Sequence, residues 1–316
     1  MQKKNIAVLF PGQGSQFIGM GNEFLANDRN AEALMHLAES VSFAPLRKLC
    51  LEGPMEELTR VVYLQPALTA VNLICWQAVE KAGIKADYFA GHSLGEYSAL
   101  CAAGVLDVES TLKLVAERGR LSEREGQRNP GGMQAVLGLT LAEVEDILAT
   151  LPKSSEVTVA NHNSEKQIVI SGYHESLAKV EILVAKKGGK AITLNVSVAN
   201  HSPLVAGAIP DFERIMAAIP FNVPQTPVLF NVTAGEEKDP DAIRAIMSRQ
   251  IASRVRWYEI INALLQKGTS IFIEVGPRTV LTGLLKKIVP KSSEYLMLQV
   301  DSPATLSSCL EKIEAF

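Results

Sequence analysis

Ser93 stands between two glycines in Ala90-Gly91-His92-Ser93-Leu94-Gly95-Glu96, where a short apolar run, Tyr88 to Gly91, gives way to a helix-like one. That layout reads as a nucleophile elbow. A sharp strand-to-helix turn holds the serine oxygen exposed, the flanking glycines relieve crowding, and the backbone N–H after the serine points where an oxyanion would form. The chemistry implied is acyl transfer through a serine ester.

A serine nucleophile needs a base, and the five histidines differ in setting. His36 falls within a helical pattern and His174 at a helix start, so both read as surface or capping residues. His92 adjoins the serine, where consecutive side chains diverge, and reads as a turn or pocket residue. His162 lies in Asn161-His162-Asn163-Ser164, read as a loop whose role is structural or cleft-lining. His201, in Val198-Ala199-Asn200-His201-Ser202-Pro203, is the remaining candidate. No acid partner can be picked for it. A backbone carbonyl or an amide that orients the ring is an alternative to a missing third member.

Two further segments bear on the chemistry. Phe10-Pro11-Gly12-Gln13-Gly14-Ser15-Gln16 lacks the glycine spacing of nucleotide-binding loops. It reads as a tight turn, or as a loop whose Gln13 N–H is a second oxyanion donor. Arg118 lies on a helical stretch, where arginines usually face solvent; turned inward, it would hold a carboxylate through two parallel hydrogen bonds.

The elements that must position these residues follow from pattern and composition. The 316 residues, 47% hydrophobic but only 6% aromatic, fit an α/β enzyme, and a net charge of -3 leaves no electrostatic footprint for nucleic acid. The apolar run Ile6 to Phe10 ends in Pro11-Gly12, too short for a signal peptide, and no stretch suits a membrane span. Cys50, Cys75, Cys101 and Cys309 are far apart and read as reduced thiols, so a cytoplasmic location is expected. A cysteine nucleophile is the lesser alternative.

Strands at Ile6–Phe10 and Tyr88–Gly91 alternate with helices, one of them over Gln65–Gly83 with Pro66 in its first turn. From Asn129 the texture becomes βαββαβ: Met133–Gly138, Leu141–Leu151, Val157–Asn161, Gln167–Ser171, His174–Lys187 and Ala191–Val196. This predicts a ferredoxin-like subdomain at 129–197, inserted in a large α/β-hydrolase-like domain with a parallel sheet formed by 1–128 and 198–316. The large domain resumes with strands at Val228–Val232, Ser270–Val275 and Tyr295–Leu298, and with helices at Pro240–Ile251, Tyr258–Lys267 and Thr279–Ile288.

Taken together, Phe10 to Gln16, Gly91 to Glu96, Arg118-Gly119, Asn161-x-Asn163-Ser164, Asn200-His201 and Glu274-Val275-Gly276-Pro277 resemble the malonyl-CoA:acyl carrier protein transacylase family over essentially the whole chain. The resemblance implies Ser93 as nucleophile, His201 as base, and the N–H groups of Gln13 and Leu94 as the oxyanion hole. It implies that Arg118 binds the malonyl carboxylate, that Gln250 orients the histidine, and that Asn161 and His162 border the acyl pocket. Malonyl-CoA and the phosphopantetheine of acyl carrier protein are then substrates of a ping-pong reaction, with no cofactor or metal and a monomer expected.

The chain departs from the family pattern at Arg254, Glu165 and Arg278, and at Asn200, which bears on acyl selection. Lys186, Lys187, Lys190, Lys286, Lys287 and Lys291 are candidates for a face toward the acidic carrier, or simply solvated helix ends. Alternative functions are a trans-acting acyltransferase of a polyketide assembly line, an acyl-thioester hydrolase, and a non-catalytic carrier-binding protein. Arg118 argues against a hydrolase of neutral acyl chains.

Overall fold

The computed structural model describes residues 4–152, 154, 156–290 and 294–316. Strand β1, Asn5–Phe10, carries an unbroken apolar run, and Ala7 to Phe10 are fully buried. A strand apolar on both faces belongs at the centre of a covered parallel sheet. Alternation then divides it: Val8 and Phe10 enter the larger core, Ala7 and Leu9 the smaller core on the opposite face. β1 pairs in parallel with β2, Tyr88–Gly91, and with Thr269–Val275.

A second sheet intervenes before the first is complete. Its strands are β3, Gly132–Leu137; β4, Thr158–Ser164; β5, Gln167–Gly172; and β6, Lys190–Thr193. The chain then adds β7, Val228–Leu229; β8, Thr269–Val275; and β9, Leu296–Val300, to the parallel sheet. Spatial orders are β7-β2-β1-β8-β9 for the parallel sheet and β4-β5-β3-β6 for the antiparallel one. The architecture is thus α/β, with a parallel and a separate antiparallel sheet.

The small sheet has two apolar faces with different tasks. Val136, Ile168 and Ile170 pack under the helices Leu141–Ala149 and His174–Lys186. Met133, Ala135 and Val169 form the other face, and Met133 and Val169 line a cavity shared with Ser93. Backbone pairing ties β4 to the segment just before the helix Trp257–Gln266 beside that cavity: His162 N–H donates to Val255 O and Val255 N–H to Ala160 O, at 2.9 and 2.8 Å.

Several sequence expectations require correction. Asn161 to Ser164 is strand rather than loop; pairing with β5 supplies the order that asparagine and histidine propensities do not. The helix expected from Gln65 starts at Val61, so Pro66 lies inside it and one backbone bond is missing. β7 has two residues instead of five, and β6 ends at Thr193 instead of Val196. A 3₁₀ turn, Pro203–Ala208, and a helix, Ile209–Ala217, went unread, because prolines that resembled loop punctuation occupy the first helical positions.

Candidate active site

The Gly91–Gly95 turn is built by close backbone contacts. A Cβ on Gly91 would lie 2.0 Å from the carbonyl carbon of Gly95, one on Gly95 2.1 Å from Phe10 O, and one on Gly12 2.3 Å from His92 O. Only glycine fits at these positions. Ser93, between them, has φ of 51°, a left-handed conformation that costs a non-glycine residue about 1–3 kcal/mol.

Hydrogen bonds hold that conformation from both sides. Ser93 N–H donates to Asn231 Oδ1 at 2.7 Å, Asn231 Nδ2 donates to Gly91 O at 2.7 Å, and Gln250 Nε2 donates to Ser93 O at 2.8 Å. The Ser93 N–H is therefore occupied. Gln13 and Leu94 line the same cavity, and neither backbone N–H donates elsewhere among the described residues.

His201, in the segment that follows β6, reaches Ser93 with Nε2 2.6 Å from Ser93 Oγ. Its Nδ1 lies 2.9 Å from Ser253 O and 3.1 Å from Gln250 O. Carbonyls only accept, so Nδ1 carries the proton and the Nε2 lone pair faces the hydroxyl. Among the described residues no carboxylate is hydrogen-bonded to the ring. Burial, with the nearby Arg118 charge, pushes the imidazole pKa down to about 3, so the ring is neutral with Nε2 unprotonated.

Arg118 faces inward, at 2% exposure. Gly119 makes this possible: its Cα passes so close to Val61 that a Cβ would lie 2.6 Å from Val61 O, bringing the two long helices together. The guanidinium donates to Gln65 Oε1 at 3.0 Å, Gln250 Oε1 at 3.2 Å and Ser93 Oγ at 3.4 Å. Among the described residues no carboxylate forms an ion pair with it, so its hydrogen bonds go to neutral oxygens.

Other expected residues are distributed by strand alternation. Asn161 and Asn163 line the cavity, as does Asn200, whereas His162, on the opposite side of β4, does not. Its ring packs on Tyr258 at 4.8 Å and its Nδ1 lies 3.2 Å from Glu259 Oε2. His92 lines the cavity and is 2.7 Å from Asn163 Oδ1. Gln250 touches His201 through its backbone carbonyl; its side chain reaches Ser93 and Arg118 instead.

The cavity has a volume of ≈ 160 Å³, and the helix Val280–Ile288 supplies one wall. Glu274, from the Glu-Val-Gly-Pro segment, sets that helix in place by accepting from Leu281 N at 2.8 Å and Thr282 N at 2.7 Å. None of the cysteines lines the cavity. Among the described residues, no group of His, Cys, Asp and Glu could hold a metal ion, and no helix is long and apolar enough to cross a membrane.

Sequence reasoning missed Gln65, Glu96 and Asn231. Glu96 carried a signal, since three residues after Ser93 on a helix start returns a side chain beneath the serine. Asn231 and Gln65 carried none. Of the lysines, Lys186, Lys187, Lys190, Lys286 and Lys287 are exposed, Lys287 Nζ donates to Gln167 Oε1 at 2.7 Å, and Lys291 lies outside the described residues. Arg254 pairs with Glu145 at 2.6 Å, and Arg278, at φ 65°, lies over the Phe17 ring.

Comparison with known proteins matches residues 8–300 to a family described as acyl transferase domain. A malonyl CoA-acyl carrier protein transacylase of Bacillus subtilis is 36% identical over 98% of this chain and 78% of its own length. A polyketide biosynthesis malonyl CoA-acyl carrier protein transacylase of Bacillus velezensis is 40% identical over 90% of this chain and 96% of its own length. A solved structure of a type II PKS acyl-carrier protein in complex with its malonyl-transacylase superposes with a TM-score of 0.93 at 33% identity, covering 98% of this chain and 100% of that one. With the serine elbow, the facing histidine and a match over most of its length, this chain belongs to the acyl transferase family of the malonyl CoA-acyl carrier protein transacylases.

Proposed function

We propose that the protein transfers a malonyl group from malonyl-CoA to the phosphopantetheine thiol of acyl carrier protein through a malonyl ester on Ser93. The observation that carries this reading is the 2.6 Å Ser93–His201 contact beside a buried guanidinium that, among the described residues, is in direct ion-pair contact with no carboxylate. The first half reaction begins when Ser93 Oγ attacks the thioester carbon and its proton passes to His201 Nε2. The backbone N–H groups of Gln13 and Leu94 take the negative charge on the carbonyl oxygen. As the C–S bond breaks, the CoA sulfur takes the proton from His201. In the second half the carrier thiol gives its proton to His201 and attacks the ester, and Ser93 recovers its hydrogen.

Arg118 receives the free malonyl carboxylate in this reading. A buried guanidinium bound only to neutral oxygens gains most from an anionic ligand. Asn161 and Asn200 border the acyl group. Malonyl-CoA and the carrier are both substrates, and the reaction draws on no cofactor or metal. We read the chain as a cytoplasmic monomer: a hydrolase-like large domain, 1–128 and 198–316, interrupted by a ferredoxin-like one, 129–197.

A second reading, service to a polyketide assembly line, is favoured by one observation. The polyketide relatives from Bacillus velezensis and Burkholderia thailandensis are 40% and 41% identical, against 36% for the Bacillus subtilis transacylase. Labelled malonyl-CoA and acetyl-CoA test the reaction itself. Label that settles on the enzyme and moves to carrier supports transfer; rapid release of free acid without carrier labelling would replace it with hydrolysis.

A further inference from the structure

Glu96 is fully buried one helical turn beyond the nucleophile, and the reaction scheme assigns it no task. Burial pushes its carboxyl pKa up to about 8, against hydrogen bonds from Asn231 and Gln250 and the Arg118 charge. A carboxyl in that setting is costly unless its bonds accomplish something. Its two oxygens accept from Asn231 N–H at 2.7 Å and from Gln250 Nε2 at 2.8 Å. These are the two residues whose side chains grip Ser93, one at its N–H and one at its C=O.

We infer that Glu96 is a positioning residue that locks Asn231 and Gln250 in the orientation needed to hold Ser93 in its left-handed conformation. The argument rests on amide polarity. Gln250 has one orientation in which Nε2 meets two acceptors, Ser93 O and Glu96, while Oε1 meets the Arg118 donor. The reversed amide would set oxygen against oxygen at Ser93 and N–H against N–H at Arg118. An acceptor at position 96 selects the productive state. The same carboxyl holds the Asn231 backbone from which the Oδ1 reaches Ser93 N–H.

Glu96→Gln keeps the shape but replaces an oxygen, which can accept even when the carboxyl is protonated, with an NH₂ group that cannot accept and must then face a donor. The inference rests on acyl transfer through Ser93, so the wild-type enzyme is measured first: if it forms no acyl-serine, that reading fails, and with it this one. Given a competent wild type, the rate constant for Ser93 acylation at saturating acyl-CoA is expected to fall on the order of tenfold to a hundredfold in Glu96→Gln. The loss should strike malonyl-CoA and acetyl-CoA alike, with KM for malonyl-CoA within about threefold, because the elbow serves both. A folded Glu96→Gln enzyme that acylates at the wild-type rate, or whose defect is confined to the malonyl KM, overturns the inference. If that variant does not fold, Asn231→Ala keeps the backbone N–H that donates to Glu96 but removes the side-chain oxygen that accepts from the Ser93 N–H. The same fall in rate is expected there, and wild-type acylation overturns the inference equally.

Discussion

At the scale of single residues, the site separates generic acyl transfer from selection of a diacid. In the proposed reaction Ser93 and His201 serve any thioester, whereas Arg118 favours an acyl group with a second carboxylate. Arg118→Ala should therefore slow malonyl loading on the order of tenfold to a hundredfold or more, with a much smaller effect on acetyl loading, as measured by acyl-enzyme formation. Equal losses would remove the carboxylate clamp. The imidazole has a second consequence. With its pKa lowered to about 3, His201 stays unprotonated down to acid pH, so its ionisation should impose no limb on the acylation rate above about pH 5. A rate–pH profile that falls through 6.5 would contradict the buried, neutral base. The same shift affects folding: the unfolded chain binds this proton below about 6.5 and the folded one does not, so this group costs stability as pH falls from there toward 3.

At the scale of elements, glycine contacts decide whether the serine is presented at all. Gly95→Ala sets a methyl against Phe10 O, a backbone atom that cannot swing aside. Urea unfolding should show a loss of roughly 1–3 kcal/mol or more, along with loss of acylation, while unchanged stability would mean that the elbow has slack. This part of the site was legible in the sequence because a serine between glycines at a strand-to-helix boundary has few other uses. The alternation of strands and helices was legible because the buried strands are short, nearly continuous apolar runs set between longer helical patterns. The second half of β4 was not, since its polar residues His162 and Asn163 owe their strand conformation to β5 and to Val255. The loop reading placed Asn161 and His162 together; a strand sends them to opposite sides. Asn231, Gln65 and the Ser253 carbonyl were illegible because they reach the site only through tertiary folding.

At the scale of the whole molecule, the cavity lies between a parallel sheet that presents the nucleophile and an antiparallel one that covers it. The carrier must reach that seam with its phosphopantetheine arm, and exposed lysines stand on both sides. Charge reversal at Lys286, which is exposed on the helix that walls the cavity, should lower kcat/KM for the carrier several-fold and leave acylation by malonyl-CoA unchanged. An unaltered carrier dependence would place the docking face elsewhere. The most direct test of the central claim is peptide mapping by mass spectrometry after brief exposure to malonyl-CoA, then to holo carrier protein. The account expects a malonyl adduct on Ser93 that vanishes as malonyl-carrier appears, and its absence in His201→Ala over the same interval. An unmodified Ser93, or an adduct that the carrier cannot discharge, would contradict it.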